Sequence, residues 1–247
     1  MGFLKTTLCG LGLVGGIALA APAFAVTTYD AVTDFSTTNS IGIFSYGTGV
    51  TGTSFTADPT YSNPCQGQVA GLGCWQGANP VALVPLVGKN LTGATFDFGT
   101  VVVPTDVLLV HPGPATDSIV RFAVPTTGIY NITGRFELLD TNPGGVDVII
   151  AFTRGAFHSV LLDTTLTGPG AVPPGTPGGM VPFGANGVAL QAGDILDYGV
   201  NNDGNFLNDS TGLALTFNAV PEPAAWTMML IGFAAIGGAL RRKADRR

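Results

Sequence analysis

The central region of this sequence predicts an all-β fold, an antiparallel β-sandwich of jelly-roll type, on three observations. Apolar residues recur at every second position or in short runs, as in strands that bury one face. Turn formers break the runs every ten residues or so, glycines and prolines (36 and 17 in the whole chain) with the Asn and Asp between them. Helical periodicity is almost absent from this region, and many short strands in a span of this size pack as a sandwich or jelly roll.

Taken in order, the chain opens on residues 1–25, where Lys5 precedes an apolar run from Leu8 to Ala21 and an A-x-A box at Ala23, Phe24 and Ala25. This is the pattern of a secretory signal peptide, a signal helix handed to the secretion machinery and cut after Ala25. Residues 26–220 form the sandwich domain, long enough for one well-buried core and short for two. Within it "DVLLVHP" (106–112), "SIVRFAVP" (118–125), "GIYNITGRFELLD" (128–140), "VDVIIAFTRG" (146–155), "SVLLDTTLTG" (159–168), "GVALQAGDILDYGVNND" (187–203) and "TGLALTFNAV" (211–220) read as strands. Pro125 and Gly128 make the turn before Tyr130, and Gly193 and Asp194 another before Ile195. "TGPGAVPPGTPGG" (167–179) reads as a mobile Pro/Gly excursion, too poor in side chains to pack.

Residues 221–247 follow a different logic. Ala224 to Leu240 is uncharged over 17 residues, the lower edge of the ~17–25 that cross a bilayer, so a transmembrane helix is expected at about 224–240. Arg241, Arg242, Lys243, Arg246 and Arg247 against Asp245 hold its end in the cytoplasm, and Trp226 suits the outer interface. Pro221-Glu222-Pro223 stays extended outside the span, in a form a protease cleft can take. This tripeptide, Trp226, the Gly-containing apolar stretch and the closing Arg cluster together resemble the PEP-CTERM sorting signal of Gram-negative bacteria. The resemblance implies recognition by an exosortase, a membrane-embedded transpeptidase-like enzyme, with Pro221, Glu222 and Pro223 as processing motif. It also implies a precursor anchored in the inner membrane, then delivery to the cell surface or extracellular matrix.

From His111 onward, "VRF-x-x-P-x-x-G-x-Y-x-I-x-G-x-F", then "L-x-AGD-x-x-D-Y-x-V" and "DSTGL", is similar to jelly-roll modules of bacterial surface proteins, akin in shape to carbohydrate-binding modules. That resemblance implies a fold and transfers no catalytic residue.

The composition excludes some partners. Residues 26–220 carry four basic residues, Lys89, Arg121, Arg135 and Arg154, against 14 acidic ones, a net of −10. Such a surface repels phosphate backbones, so nucleic acid is not an expected partner. Once Cys9 leaves with the signal peptide, Cys65 and Cys74 remain, and in an oxidising compartment they are expected to pair.

Two function classes stay open, a non-enzymatic surface or matrix protein that binds polysaccharide, and a secreted glycan-acting hydrolase. For the first, Trp75, Tyr61, Asn63, Gln66 and Gln76 gather rings and amides around the cysteine loop, where a stiffened sugar platform could form; the alternative is that these aromatics, with Phe44 and Tyr46, are core. For the second, Glu137, Asp140, Asp194 and Asp197 offer carboxylates, while His111 and His158 stand at strand ends and no G-x-S-x-G elbow is present. The absence of a nucleophile, base or metal cluster favours the non-enzymatic class, with no cofactor beyond a structural calcium. Asp203, Asn205 and Asp209 in "NNDGNFLNDST" offer oxygen ligands for that calcium without EF-hand spacing, against the alternative of a polar hairpin whose side chains bond their own backbone.

Overall fold

Sixteen strands succeed one another in the structure, a computed structural model of the 247-residue chain that describes residues 26–38, 42–173, 175, 176, 178–220, 230–237 and 241. They are β1 (Thr27–Asp30), β2 (Phe44–Val50), β3 (Ser54–Ala57), β4 (Thr60–Ser62), β5 (Leu72–Val81), β6 (Val84–Asn90), β7 (Phe96–Phe98) and β8 (Val101–Val103). Then come β9 (Leu108–His111), β10 (Asp117–Ala123), β11 (Gly128–Leu138), β12 (Val146–Arg154), β13 (Phe157–Leu166), β14 (Met180–Leu190), β15 (Ile195–Asn201) and β16 (Thr211–Val220).

The pairing of the last eight identifies the jelly roll. Strand β9 pairs with β16, β10 with β15, β11 with β14 and β12 with β13, all antiparallel. These are the rungs of one long hairpin, and rolling it up sends alternate rungs to opposite sheets. One sheet therefore runs β14-β11-β16-β9 and continues through β6, β5 and β4, with β1 beside β16; the other runs β13-β12-β15-β10 and continues through β2 and β3.

Period-two patterning supplies the core between them. Val120 and Phe122 of β10 and Leu196, Tyr198 and Val200 of β15 meet Leu213, Leu215 and Phe217 of β16 and Tyr130, Ile132 and Phe136 of β11. Phe122 and Phe217 stack across the gap with ring centroids 3.7 Å apart, and burying each such ring is worth about 1.5–3 kcal/mol. A second core lies on the far face of the first sheet, where Leu72, Leu86, Leu109 and Leu139 pack with Val101 and Val103 of the small β7–β8 sheet.

The turn after β2 folds over β15, placing Thr51 where any side chain at 199 would stand, so that position has to be Gly199. Described residues of the 167–179 segment pack, where the composition predicts too few side chains to do so: Ala171 is buried and its N–H donates to the Asp140 carbonyl, while the Gly178 N–H donates to that of Leu138. Gly170 and Gly178 lie against the backbones of Thr141 and Pro169, so here glycine permits close backbone approach.

Residues 1–25 and 221–223 lie outside the described residues, so the signal helix and the processing tripeptide have no structural account here. Of the expected span at about 224–240, residues 230–237 are helical and the others are outside the described residues. No helix among the described residues is long and apolar enough to cross a membrane.

Candidate functional site

The cysteine loop was the first candidate, and the structure joins Cys65 to Cys74 with their Cα atoms 5.2 Å apart. Both are fully buried in the second core. The rings expected beside them as a platform face the other way. Strand β5 is covered on both faces: Leu72 and Cys74 enter the second core, and Trp75 enters the core between the sheets.

Trp75 is only 6% exposed and donates its Nε1–H to the Ser36 carbonyl at 2.8 Å. Its ring lies 5.4 Å from that of Tyr61, which stands 6.4 Å from Phe35, itself 4.8 Å from Tyr46. Phe44 and Tyr46 are buried as well. Gln76 is buried and donates Nε2–H to the Leu83 carbonyl at 2.7 Å. Of the five platform residues, Asn63 is exposed, Gln66 and Tyr61 are half-buried, and Trp75 and Gln76 are core. A ring in the core cannot stack on a sugar, so the platform is not built.

The carboxylates considered for hydrolysis are held by donors. Asp197 takes Arg121 Nε and Nη2 at 2.7 and 2.8 Å. Glu137 takes Arg135 Nε at 2.6 Å, and Asp194 takes Arg154 Nε at 2.8 Å together with the Gln191 N–H at 2.7 Å. Asp140 accepts from Thr100 Oγ1 at 2.6 Å and from the Ser210 N–H at 2.8 Å. All three arginines of residues 26–220 are thus spent on buried carboxylates. Burial pushes the Glu137 carboxyl up while Arg135 opposes it; Arg154 and the Gln191 N–H hold that of Asp194 down.

The histidines make local bonds. His111 Nδ1 donates to the Pro112 carbonyl at 2.9 Å and burial pushes its pKa down, while the exposed His158 has Nδ1 2.9 Å from Thr153 Oγ1. An apolar cleft of about 520 Å³ opens between the sheets at the β13 and β14 edges, lined by residues such as Ile132, Leu161, Leu162, Phe183 and Tyr198. Nothing in the sequence pattern pointed to it.

In the loop between β15 and β16, Asp203 and Asn205 are exposed, and the Asn205 Oδ1 accepts from the Leu207 N–H at 3.2 Å. Asp209 lies beneath them with both carboxylate oxygens buried and no hydrogen-bond partner. Burial first, then the charges of Asp140 and Asp203, push its pKa up to about 7. Among the described residues no three His, Cys, Asp or Glu side chains group to hold a metal ion.

Comparison with known proteins decides the tail. Residues 219–243 match the PEP-CTERM protein-sorting motif. The tail is a PEP-CTERM sorting signal. Such a signal marks an exported protein that an exosortase recognises and that is anchored transiently in the membrane.

No curated protein matches the chain. Among solved structures, the Eiger TNF of S. frugiperda is 19% identical with a TM-score of 0.28, over 41% of this chain and 65% of that one. The Podospora anserina GH26-CBM35 β-(1,4)-mannanase is 14% identical with a TM-score of 0.30, over 72% of this chain and 29% of that one. The N-terminal cellulose-binding domain of Cellulomonas fimi β-1,4-glucanase C is 13% identical with a TM-score of 0.25, over 53% and 86%. The likenesses are loose, and the jelly roll rests on the strand pairing above.

Proposed function

We propose that this chain is a non-catalytic exported protein, passed to an exosortase through its PEP-CTERM tail and displayed at the cell surface or in the extracellular matrix of a Gram-negative bacterium. The observation that carries the reading is the match over residues 219–243. The non-catalytic part draws support from the engaged carboxylates: Glu137, Asp194 and Asp197 are each held by an arginine, an arrangement that serves stability. Polysaccharide stays the ligand class to try first, through the exposed amide of Asn63 and the half-buried Gln66 beside the disulfide, since ring stacking by Trp75 is closed off.

Mass spectrometry of the surface-exported protein tests the sorting claim. The expected chain ends in the Pro221–Pro223 region, and deletion of Arg241–Arg247 is expected to leave an unprocessed precursor. An intact Arg247 on exported protein overturns the processing step. Incubation with a polysaccharide panel tests the second claim: hydrolysis of any member that is lost in Asp197→Asn or Glu137→Gln establishes the hydrolase instead.

A further inference from the structure

The fold buries the Asp209 carboxylate and gives it no hydrogen-bond donor among the described residues. Asp117, Glu137, Asp140, Asp194 and Asp197 are buried and each accepts hydrogen bonds. Asp209 is 0% exposed, and neither of its oxygens has a hydrogen-bond partner. An ionised carboxylate taken out of water and left unpaired is among the costliest arrangements a fold can hold, and such groups are normally paired or coordinate a metal.

The same carboxylate is aimed at a gap that a glycine keeps open. A methyl group built on Gly144, in the β11–β12 loop, would stand 2.9 Å from the Leu207 carbonyl oxygen, 3.1 Å from Asp209 Oδ1 and 3.8 Å from Asn205 Nδ2. Polar groups of the β15–β16 loop therefore converge on a point beside Gly144 that holds no side chain. Turning the Asn205 carboxamide over brings its oxygen to that point at the expense of its bond to the Leu207 N–H, which at 3.2 Å is long. Asp140 and Asp203 lie near enough to add negative potential.

We propose that Asp209, the Leu207 carbonyl and Asn205, gathered over the Gly144 backbone, bind a calcium ion. The donors are all oxygen, of mixed carboxylate, carbonyl and amide type, and no nitrogen or sulfur ligand joins them; that is the chemistry of a hard cation. Calcium tolerates an irregular shell completed by water, and the exposed Asn205 and Leu207 leave the mouth open to solvent. Magnesium demands near-octahedral geometry and sheds its water reluctantly. The ligand set differs from the one the sequence suggests, since the Leu207 carbonyl takes the place of the exposed Asp203. With one carboxylate in direct contact the affinity belongs to the weak extracellular class, a Kd of about 10⁻⁴–10⁻³ M. The bound ion would hold together the β15–β16 loop, whose residues supply all three ligands, so stability rises with calcium by mass action.

The test uses the chain purified from the exporting cell, stripped with chelator and titrated with calcium chloride alone. Tm is expected to rise saturably between about 0.1 and 10 mM calcium and less with magnesium, and equilibrium dialysis to find one ion per chain. Asp209→Asn is expected to abolish the rise while melting in chelator at or above the wild-type temperature, because a buried charge has gone. Gly144→Ala fills the gap, leaves every charge in place and is expected to abolish the rise as well. A wild-type melt unchanged by calcium, or a calcium response kept by Asp209→Asn, overturns the site, and an equal response to magnesium overturns the assignment to calcium.

Discussion

The pair Arg121–Asp197 separates a structural carboxylate from a reactive one, and the perturbation to make is Arg121→Met. Methionine keeps most of the stem and removes both N–H groups. The two residues face each other in the β10–β15 register, with Nε and Nη2 on the two carboxylate oxygens at 2.7 and 2.8 Å. The Asp197 side chain is 2% exposed and that of Arg121 26%, and the guanidinium lies 4.0 Å from the centre of the Phe55 ring. Breaking a fully buried pair costs about 3–5 kcal/mol because the remaining charge has no partner, whereas an exposed pair is worth about 0–1 kcal/mol. Here the stranded group is the buried one and the removed group is partly wet, which puts the loss at about 2–4 kcal/mol, including about 0.5–1 kcal/mol for the cation over the ring. Denaturant unfolding with an unchanged m-value reads it directly, and Tm is expected to fall by about 5–15 °C. The double variant Arg121→Met/Asp197→Leu, which removes both charges, is expected within about 1 kcal/mol of the wild type. A single-variant loss below about 0.5 kcal/mol, or a double variant as damaged as the single one, would refute the structural assignment.

The disulfide and the Arg154–Asp194 pair carry expectations of the same kind. Replacing Cys65 and Cys74 together by Ala is expected to cost about 2–3 kcal/mol from the lost loop constraint, and nonreducing peptide mapping of exported protein should find the 65–74 link; two free thiols would contradict the structure. For Asp194, whose folded pKa is lowered by Arg154 and the Gln191 N–H, the stabilisation is present above the ordinary aspartate range and is lost as pH falls through the folded value. The Tm gap between wild type and Arg154→Met should therefore be widest at neutral pH and close below about pH 4; a gap constant from pH 2 to 7 excludes this pair as its source.

The legible half of the fold was the half whose apolar residues recur at every second position or in short runs between turn formers. From β10 onward apolar residues at every second position or in short runs announce the strands, and the turn at Gly193 and Asp194 is stapled as its residues suggest: the Val124 N–H donates to the Asp194 carbonyl and the Val124 carbonyl accepts from the Gly193 N–H. Before β9 the signal fails for two reasons. In β2, "FSYGTGV", Gly47 lies against the Phe55 ring and the Thr56 carbonyl and Gly49 against Ser54, so two residues that score poorly as strand formers interrupt Phe44, Tyr46, Thr48 and Val50. In β5, "LGCWQGANPV", the first six residues are all buried because each face meets a core, and no alternation survives to be read.

The sites were less legible than the strands because their partners lie far apart in the chain. Nothing near Arg121 names Asp197, 76 positions on; only the register does. The stacking platform failed for the converse reason, since nearness to the disulfide in sequence says nothing about which side of β5 a ring occupies. Asp209 shows both effects at once. Its acidic, amide-rich loop stands out in the sequence, yet the group that opens the space beside it is Gly144, on another loop and with no ligating atom in its side chain. A search of the sequence for donors finds carboxylates and amides, and it passes over the glycine. Gly144→Ala changes no charge, and its methyl acts on a calcium response through the space beside Asp209 and the Leu207 carbonyl that it would meet at 2.9 Å.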